Sequence, residues 1–308
     1  ARRNIAVLTA AQALGGASPP IVMSLGGLVG QQLSPDPAWV TFPVSLFGLG
    51  LRDHSGCFLS CRHDLAQLGL DGDRRWMLVD EASGRFLTQR AEAKMSQLSA
   101  LWNAGGGLTL SAPEQGSIEV ALPAADAELR GVTIWRDTLR VPDAGEEAAR
   151  WVSDFIGKPT RLVQVPLDRA RMTQAGFGKD DDQVAFADGF PLLLIGEASL
   201  QDLSDKVGRP LEMLRFRPNL VIEGSEAYAE DSWKRIRIGD VEFRVVKPCS
   251  RCILTTIDPQ TGERSADREP LATLQKYRAE ADGAMFGQNL VNDGNGRLEV
   301  GMPVTVLE

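Results

Sequence analysis

The sequence is poor in the residues that build metal cages and disulfide frameworks. It has two histidines, His54 and His63, and four cysteines in 308 residues. Two histidines exclude any site that needs three, and four cysteines over this length exclude a disulfide scaffold. A basic excess is missing as well: 33 Lys+Arg stand against 41 Asp+Glu, a formal net charge of -8. That balance argues against a general nucleic-acid binder, which carries a basic face. Hydrophobic residues at 43% and charged residues at 24% match the globular average, which excludes wholesale disorder. The length suits one large domain or two ordinary ones.

Charge is also missing locally. Between Asn4 and Leu51 the only charged residue is Asp36. Residues 5–33 would cross a bilayer as a helix, at about 1.5 Å per residue. Gly, Ala and Ser are frequent there and Pro19-Pro20 interrupt it, which packed membrane helices tolerate. Arg2 and Arg3 precede it as a cytoplasmic start would. Residues 38–51 are short for a second span and contain Pro43. The whole stretch resembles the first helices of a major-facilitator transporter. One and a half spans cannot build a transport path, so an anchor is the most it implies. A single span, a two-pass hairpin and no insertion all stay open.

From Arg52 onward the chain reads as a soluble, strand-rich mixture. Strands are expected over 75–80, 117–122, 131–135, 138–141, 161–165, 219–223, 236–238, 241–246, 253–257, 297–300 and 303–307. Residues 85–89 follow the turn Ala82-Ser83-Gly84 as a hairpin arm. Asp143 to Glu146 resembles a capping box, with Ala148, Trp151, Val152 and Phe155 at helical spacing behind it and Gly157 as a stop. Helices are expected again over 197–207 and 270–278. The resulting fold class is α+β and mainly β: a barrel with peripheral helices behind a smaller N-terminal β unit. The expected division is 1–51 apolar segment, 52–142 N-terminal barrel and 143–308 C-terminal domain. Asp180-Asp181-Asp182 reads as a solvated loop.

The cysteines carry the sharpest chemistry. Cys249-Ser-Arg-Cys252 is a C-x-x-C beside an expected strand, and Cys57 and Cys61 lie far upstream. Four thiolates could bind zinc, but the upstream spacing is unusual for it. A redox dithiol would open a helix, whereas 253–257 reads as strand. Buried free thiols acting as small hydrophobes are a third reading. A fourth is one soft thiolate ligand to a metal held mainly by an organic cofactor. Such a cofactor carries phosphate, which suits guanidinium groups such as those of Arg215, Arg217, Arg74 and Arg75.

The segments GDRRWMLVDEASGRFLTQR, FADGFPLLLIGEASLQDL, FRPNLVI, PCSRCILTTIDPQTG and FGQNLV resemble, in order, the MOSC-domain proteins. The likeness is to the branch with an N-terminal MOSC β-barrel, which includes amidoxime-reducing components, and it runs from about Ser60 to the C-terminus. It implies a MOSC β-barrel and a molybdenum cofactor, with Cys252 as the protein ligand to the metal and the catalytic residue. It implies cofactor contacts from Ser60, Arg74, Asp188, Arg217 and Asn219. It departs from the family at Leu59, where Lys is usual before the Ser-Cys pair, and in a shortened stretch before Asp73.

The activity implied is reduction of N-hydroxylated small molecules by oxygen-atom removal at molybdenum. No cysteine follows Cys252 to hold an iron–sulfur cluster, so electrons would come from a separate flavin reductase or small haem protein. The alternatives are a cofactor or sulfur carrier using a Cys252 persulfide, and an inactive membrane-tethered remnant. A cytoplasmic location is expected, with membrane attachment through residues 4–51 left open.

Overall fold

A computed structural model of the chain describes residues 21–24, 51–52, 62–103, 106–259 and 261–308. The elements used below are β1 (Ile21–Ser24), β2 (Trp76–Asp80), β3 (Leu129–Ile134), β4 (Asp137–Pro142), α1 (Glu146–Ile156), β5 (Thr160–Gln164) and β6 (Leu192–Gly196). They continue with α2 (Glu197–Val207), β7 (Leu220–Glu223), β8 (Arg235–Ile238), β9 (Val241–Arg251), α3 (Leu271–Tyr277), β10 (Gly283–Asp293) and β11 (Pro303–Val306). The architecture is mainly β, with three helices among the described residues.

The C-terminal unit is a nearly closed barrel. Its strands run β6-β7-β1-β11-β8-β9-β10, and β6 pairs back onto β10. The LLLI run of β6 explains why closure is stable. Successive side chains of a strand point to opposite faces. Leu192 and Leu194 enter one buried cluster with Leu220, Ile222, Ile236, Phe243 and Leu290. Leu193 and Ile195 enter another, with Leu200 and Leu203 of α2 and Leu274 of α3. A strand covered on both faces reads as continuous apolar sequence. The link β6-α2-β7 is a parallel crossover unit. Gly208 stops α2 at φ +81°, where a left-handed residue lets its N–H reach the Ser204 carbonyl. At the other end, buried Glu230 accepts the Gly196 N–H and the Ser199 hydroxyl.

The N-terminal unit packs on β2 and β5, which pair antiparallel from Trp76↔Gln164 to Thr160↔Asp80. Trp76, Leu78 and Leu162 meet Ala148, Val152 and Phe155 of α1 on one face. Met77, Val79 and Val163 meet Val132, Ile134 and Val141 on the other. The hairpin β3–β4 turns at Trp135-Arg136.

Four expectations need correction. Ile21–Ser24, expected inside an apolar helix, is a strand between β7 and β11. Pro19-Pro20 removes two helical N–H donors just before it, and Ile21-Val22 favours extended backbone. Most of residues 1–51 lies outside the described residues; among those described, no helix is long and apolar enough to cross a membrane. Residues 253–257 are a 3-10 turn, Ile253–Thr256, rather than a strand. The β-branched run suggested extension, but the Thr255 and Thr256 hydroxyls bond back to the carbonyls of Cys252 and Ile253 and hold a turn. Asp143 does not close a capping box: α1 begins at Gly145, and Asp143 binds Arg130, Arg161 and the Gly145 N–H. Asp182 is not solvated. It is buried and holds Arg244 through two bonds of 2.6 and 2.9 Å.

Candidate active site

A cavity of about 110 Å³ opens between the two units. Arg74 and Arg90 line it from the N-terminal side, and Arg215, Arg217 and Arg251 from the C-terminal side. Asp188 is the one carboxylate in its wall, and Cys249 and Cys252 both border it. Five guanidinium groups against one carboxylate make a cationic cleft in a protein whose net charge is -8.

Cys252 is placed by two elements. It directly follows the long strand β9 and caps the turn Ile253–Thr256, in extended backbone. Its thiol is half-buried. Cys249 sits three residues earlier, within β9, and accepts Arg251 Nη1 at 3.0 Å. Arg251 also donates to the Phe216 carbonyl at 2.5 Å and lies over the Phe216 ring.

Arg217 sits at φ +57°, a left-handed conformation uncommon outside glycine. Its Nη2 donates to Gln89, a fully buried side chain from the N-terminal unit. Burial and the neighbouring Arg74 charge pull its pKa down to about 9, although the Cys252 and Asp188 charges work the other way. Its Nη1 is buried without a hydrogen-bond partner, and so are Arg90 Nε and Arg251 Nε. Three orphaned guanidinium nitrogens around one cavity ask for an acceptor of negative charge.

Asp188 faces the opposite demand. Asp188 is exposed to the cavity, yet the mass of protein around it withholds enough solvent to push the carboxyl up to about 6, against the pull of Arg90, Arg74, Arg171 and the Trp135 indole N–H that it accepts. A carboxyl so placed holds or releases a proton near neutral pH.

The structure brings together Arg74, Asp188, Arg217 and Cys252, four of the residues expected from sequence. Asn219 is beside the cavity but does not line it. Its Oδ1 accepts Arg74 Nη1 and the Leu193 N–H, both at 2.9 Å, and its Nδ2 donates to Asp73. The side chain is 7% exposed and supports Arg74. Ser60, with Leu59, lies outside the described residues. Arg90, Gln89 and Arg251 escaped the sequence reading. Arg251 stood inside the C-x-R-C motif itself, whereas nothing local marked Arg90 or Gln89.

A barrel carrying a thiol and unsatisfied guanidinium groups in one cleft has the arrangement of a protein that binds an anionic cofactor. The MOSC domain profile matches residues 181–305, and the MOSC N-terminal beta barrel domain profile matches residues 56–159. Human mitochondrial amidoxime-reducing component 1 is 37% identical over 250 residues, covering 76% of this chain and 73% of the relative. The mouse protein of the same name is 39% identical over 249 residues, covering 76% and 72%. Rat mitochondrial amidoxime reducing component 2 is 34% identical over 267 residues, covering 81% and 78%. The chain belongs to the MOSC-domain family, in the group whose MOSC domain follows an N-terminal MOSC β-barrel.

Proposed function

We propose that this protein is a molybdenum-cofactor oxidoreductase that removes oxygen from N-hydroxylated small molecules. The observation that carries the reading is the trio of buried, partnerless guanidinium nitrogens on Arg90, Arg217 and Arg251 around the cavity that Cys252 borders. The residues fit a phosphorylated pterin that chelates a metal. The guanidinium groups suit phosphate and the ring acceptors, and a thiolate is a soft, strongly donating ligand for a two-electron metal. The names of the relatives supply the substrate class.

In this reading Cys252 is the metal ligand, and Arg90, Arg217 and Arg251 hold the anionic part. Arg74 is kept rigid by Asn219 and Asp73, so its charge costs little reorganisation when an anion enters. When bound and reduced, the cofactor would supply the two electrons that break the N–O bond and would take up the oxygen atom. Asp188 would give a proton to the nitrogen as the N–O bond breaks and recover the one from the hydroxyl, since its carboxyl is about half protonated near pH 6. Electrons come from a separate donor protein, a flavin reductase or small haem protein. The two units sit on the cytoplasmic side in this reading.

Metal and pterin analysis of protein purified from a cofactor-making host tests the proposal. About one molybdenum and one pterin per chain, both lost in Cys252→Ala together with N-reductive activity, supports it. Protein without either group, or a fully active Cys252→Ala variant, overturns it. Protease protection in inverted vesicles tests the placement.

A further inference from the structure

Trp135 occupies the turn of the hairpin β3–β4 at φ +54°. A bulky side chain in left-handed backbone is a genuine outlier, and such outliers persist where the surroundings hold them for a purpose. The ring is not a core residue: 40% of Trp135 is exposed. It is nevertheless fixed on several sides. Phe86 packs at 5.3 Å between centroids, the Arg90 guanidinium lies over the ring at 5.2 Å, and the indole N–H donates to Asp188. Arg90 and Asp188 both line the cavity.

Phe177 repeats the pattern from the other unit. It too is 40% exposed. It meets Phe190 edge-on at 6.4 Å, and the Lys247 ammonium lies over it at 4.4 Å. Phe190 lines the same cavity, two residues beyond Asp188. Two half-exposed rings, each steadied by a cation, therefore flank the Asp188-Gly189-Phe190 wall. Neither ring is needed to fill a core. Anchored aromatic rings with an open side offer low-entropy stacking surface to a flat ligand.

We propose that Trp135 and Phe177 form an aromatic rim that selects flat aromatic N-hydroxylated compounds over small aliphatic ones. The substrate class rests on the N-reductive reading of the same cavity. The rim positions the ring of the substrate while its polar N–OH end enters the cleft; neither residue is assigned a chemical step.

The test is titration calorimetry of the holoprotein with benzamidoxime and with acetamidoxime, with steady-state KM for both wherever turnover is measurable. The wild-type protein is expected to bind benzamidoxime about tenfold more tightly than acetamidoxime, and Trp135→Ala or Phe177→Ala to reduce that ratio about fivefold. Trp135→Phe, which keeps a flat ring, should retain most of it. A ratio near one in the wild type, no binding of either compound, or a ratio unchanged in both alanine variants overturns the rim. Benzamidoxime binding with the expected ratio but no reduction of it leaves the rim standing and sinks the N-reductive reading.

Discussion

Asn219 grips Arg74: the amide oxygen accepts Arg74 Nη1 at 2.9 Å and, at the same distance, the N–H of Leu193 on strand β6. One side chain thereby ties an arginine of the N-terminal unit to a strand of the barrel. Asn219→Ala leaves two buried donors without that acceptor, each loss costing about 1–3 kcal/mol. The expected outcome is a lower denaturation midpoint together with reduced molybdenum content, read by urea titration and metal analysis of the same preparation.

Arg217 should separate binding from stability. Its guanidinium is buried, crowded by Arg74 and only partly hydrogen-bonded. Burying an incompletely paired charge opposes folding. Arg217→Met is expected to raise the melting temperature of cofactor-free protein and to lower pterin retention. Calorimetry of cofactor-free protein, set beside pterin fluorescence of the loaded protein, checks the opposite signs. A fall in both would mean that Arg217 serves packing alone.

Asp143 should govern acid stability in the N-terminal unit. Burial works against its charge, but bonds from Arg161, the Gly145 N–H and Arg130 outweigh it and hold the carboxyl below its usual range. A depressed carboxyl stabilises the fold above its unfolded pKa, about 3.9, and loses that contribution as pH falls through the lower folded value. Asp143→Ala leaves the buried Arg161 guanidinium, 4% exposed, with only the outer carboxylates of Glu146 and Glu81, and is expected to cost about 1–3 kcal/mol at pH 7. The difference between wild type and variant should shrink below pH 4, which denaturation midpoints across pH 3–7 would show.

Asp188 should leave its mark on the rate. Its carboxyl is pushed up to about 6, so the protonated form is plentiful below that pH and lost above it. N-reductive turnover that draws a proton there is expected to fall as pH rises through about 6. Asp188→Asn should lower the rate and flatten that limb, because the amide does not titrate. A wild-type profile level from pH 5 to 8 would remove Asp188 from the proton path.

Much of the barrel was legible because its strands are buried in a regular way. The strands at 219–223, 236–238, 241–246 and 303–307 and the helix at 197–207 were legible from local pattern, whereas β1, β6 and β10 were not expected, β6 because an unbroken LLLI run carries no alternation. The turn after Cys252 was not, since threonine back-bonding overrode the β preference of ILTTI. Cys252 and Arg217 could be singled out by their own chemistry, and Asp188 through the family resemblance. Arg90 and Gln89 could not: their partners, Trp135 and Arg217, are distant in sequence, and only the meeting of two units brings them together. Asn219, named as a cofactor contact through the family resemblance, stands beside the cavity and binds Arg74.

The cavity has walls from both units, so neither could assemble it alone. Whatever anion settles among Arg90, Arg217 and Arg251 acts as a clasp across that seam. By linkage, occupancy then strengthens the join between halves. Loss of the ligand would be felt first as loosening there, long before either hydrophobic core gives way.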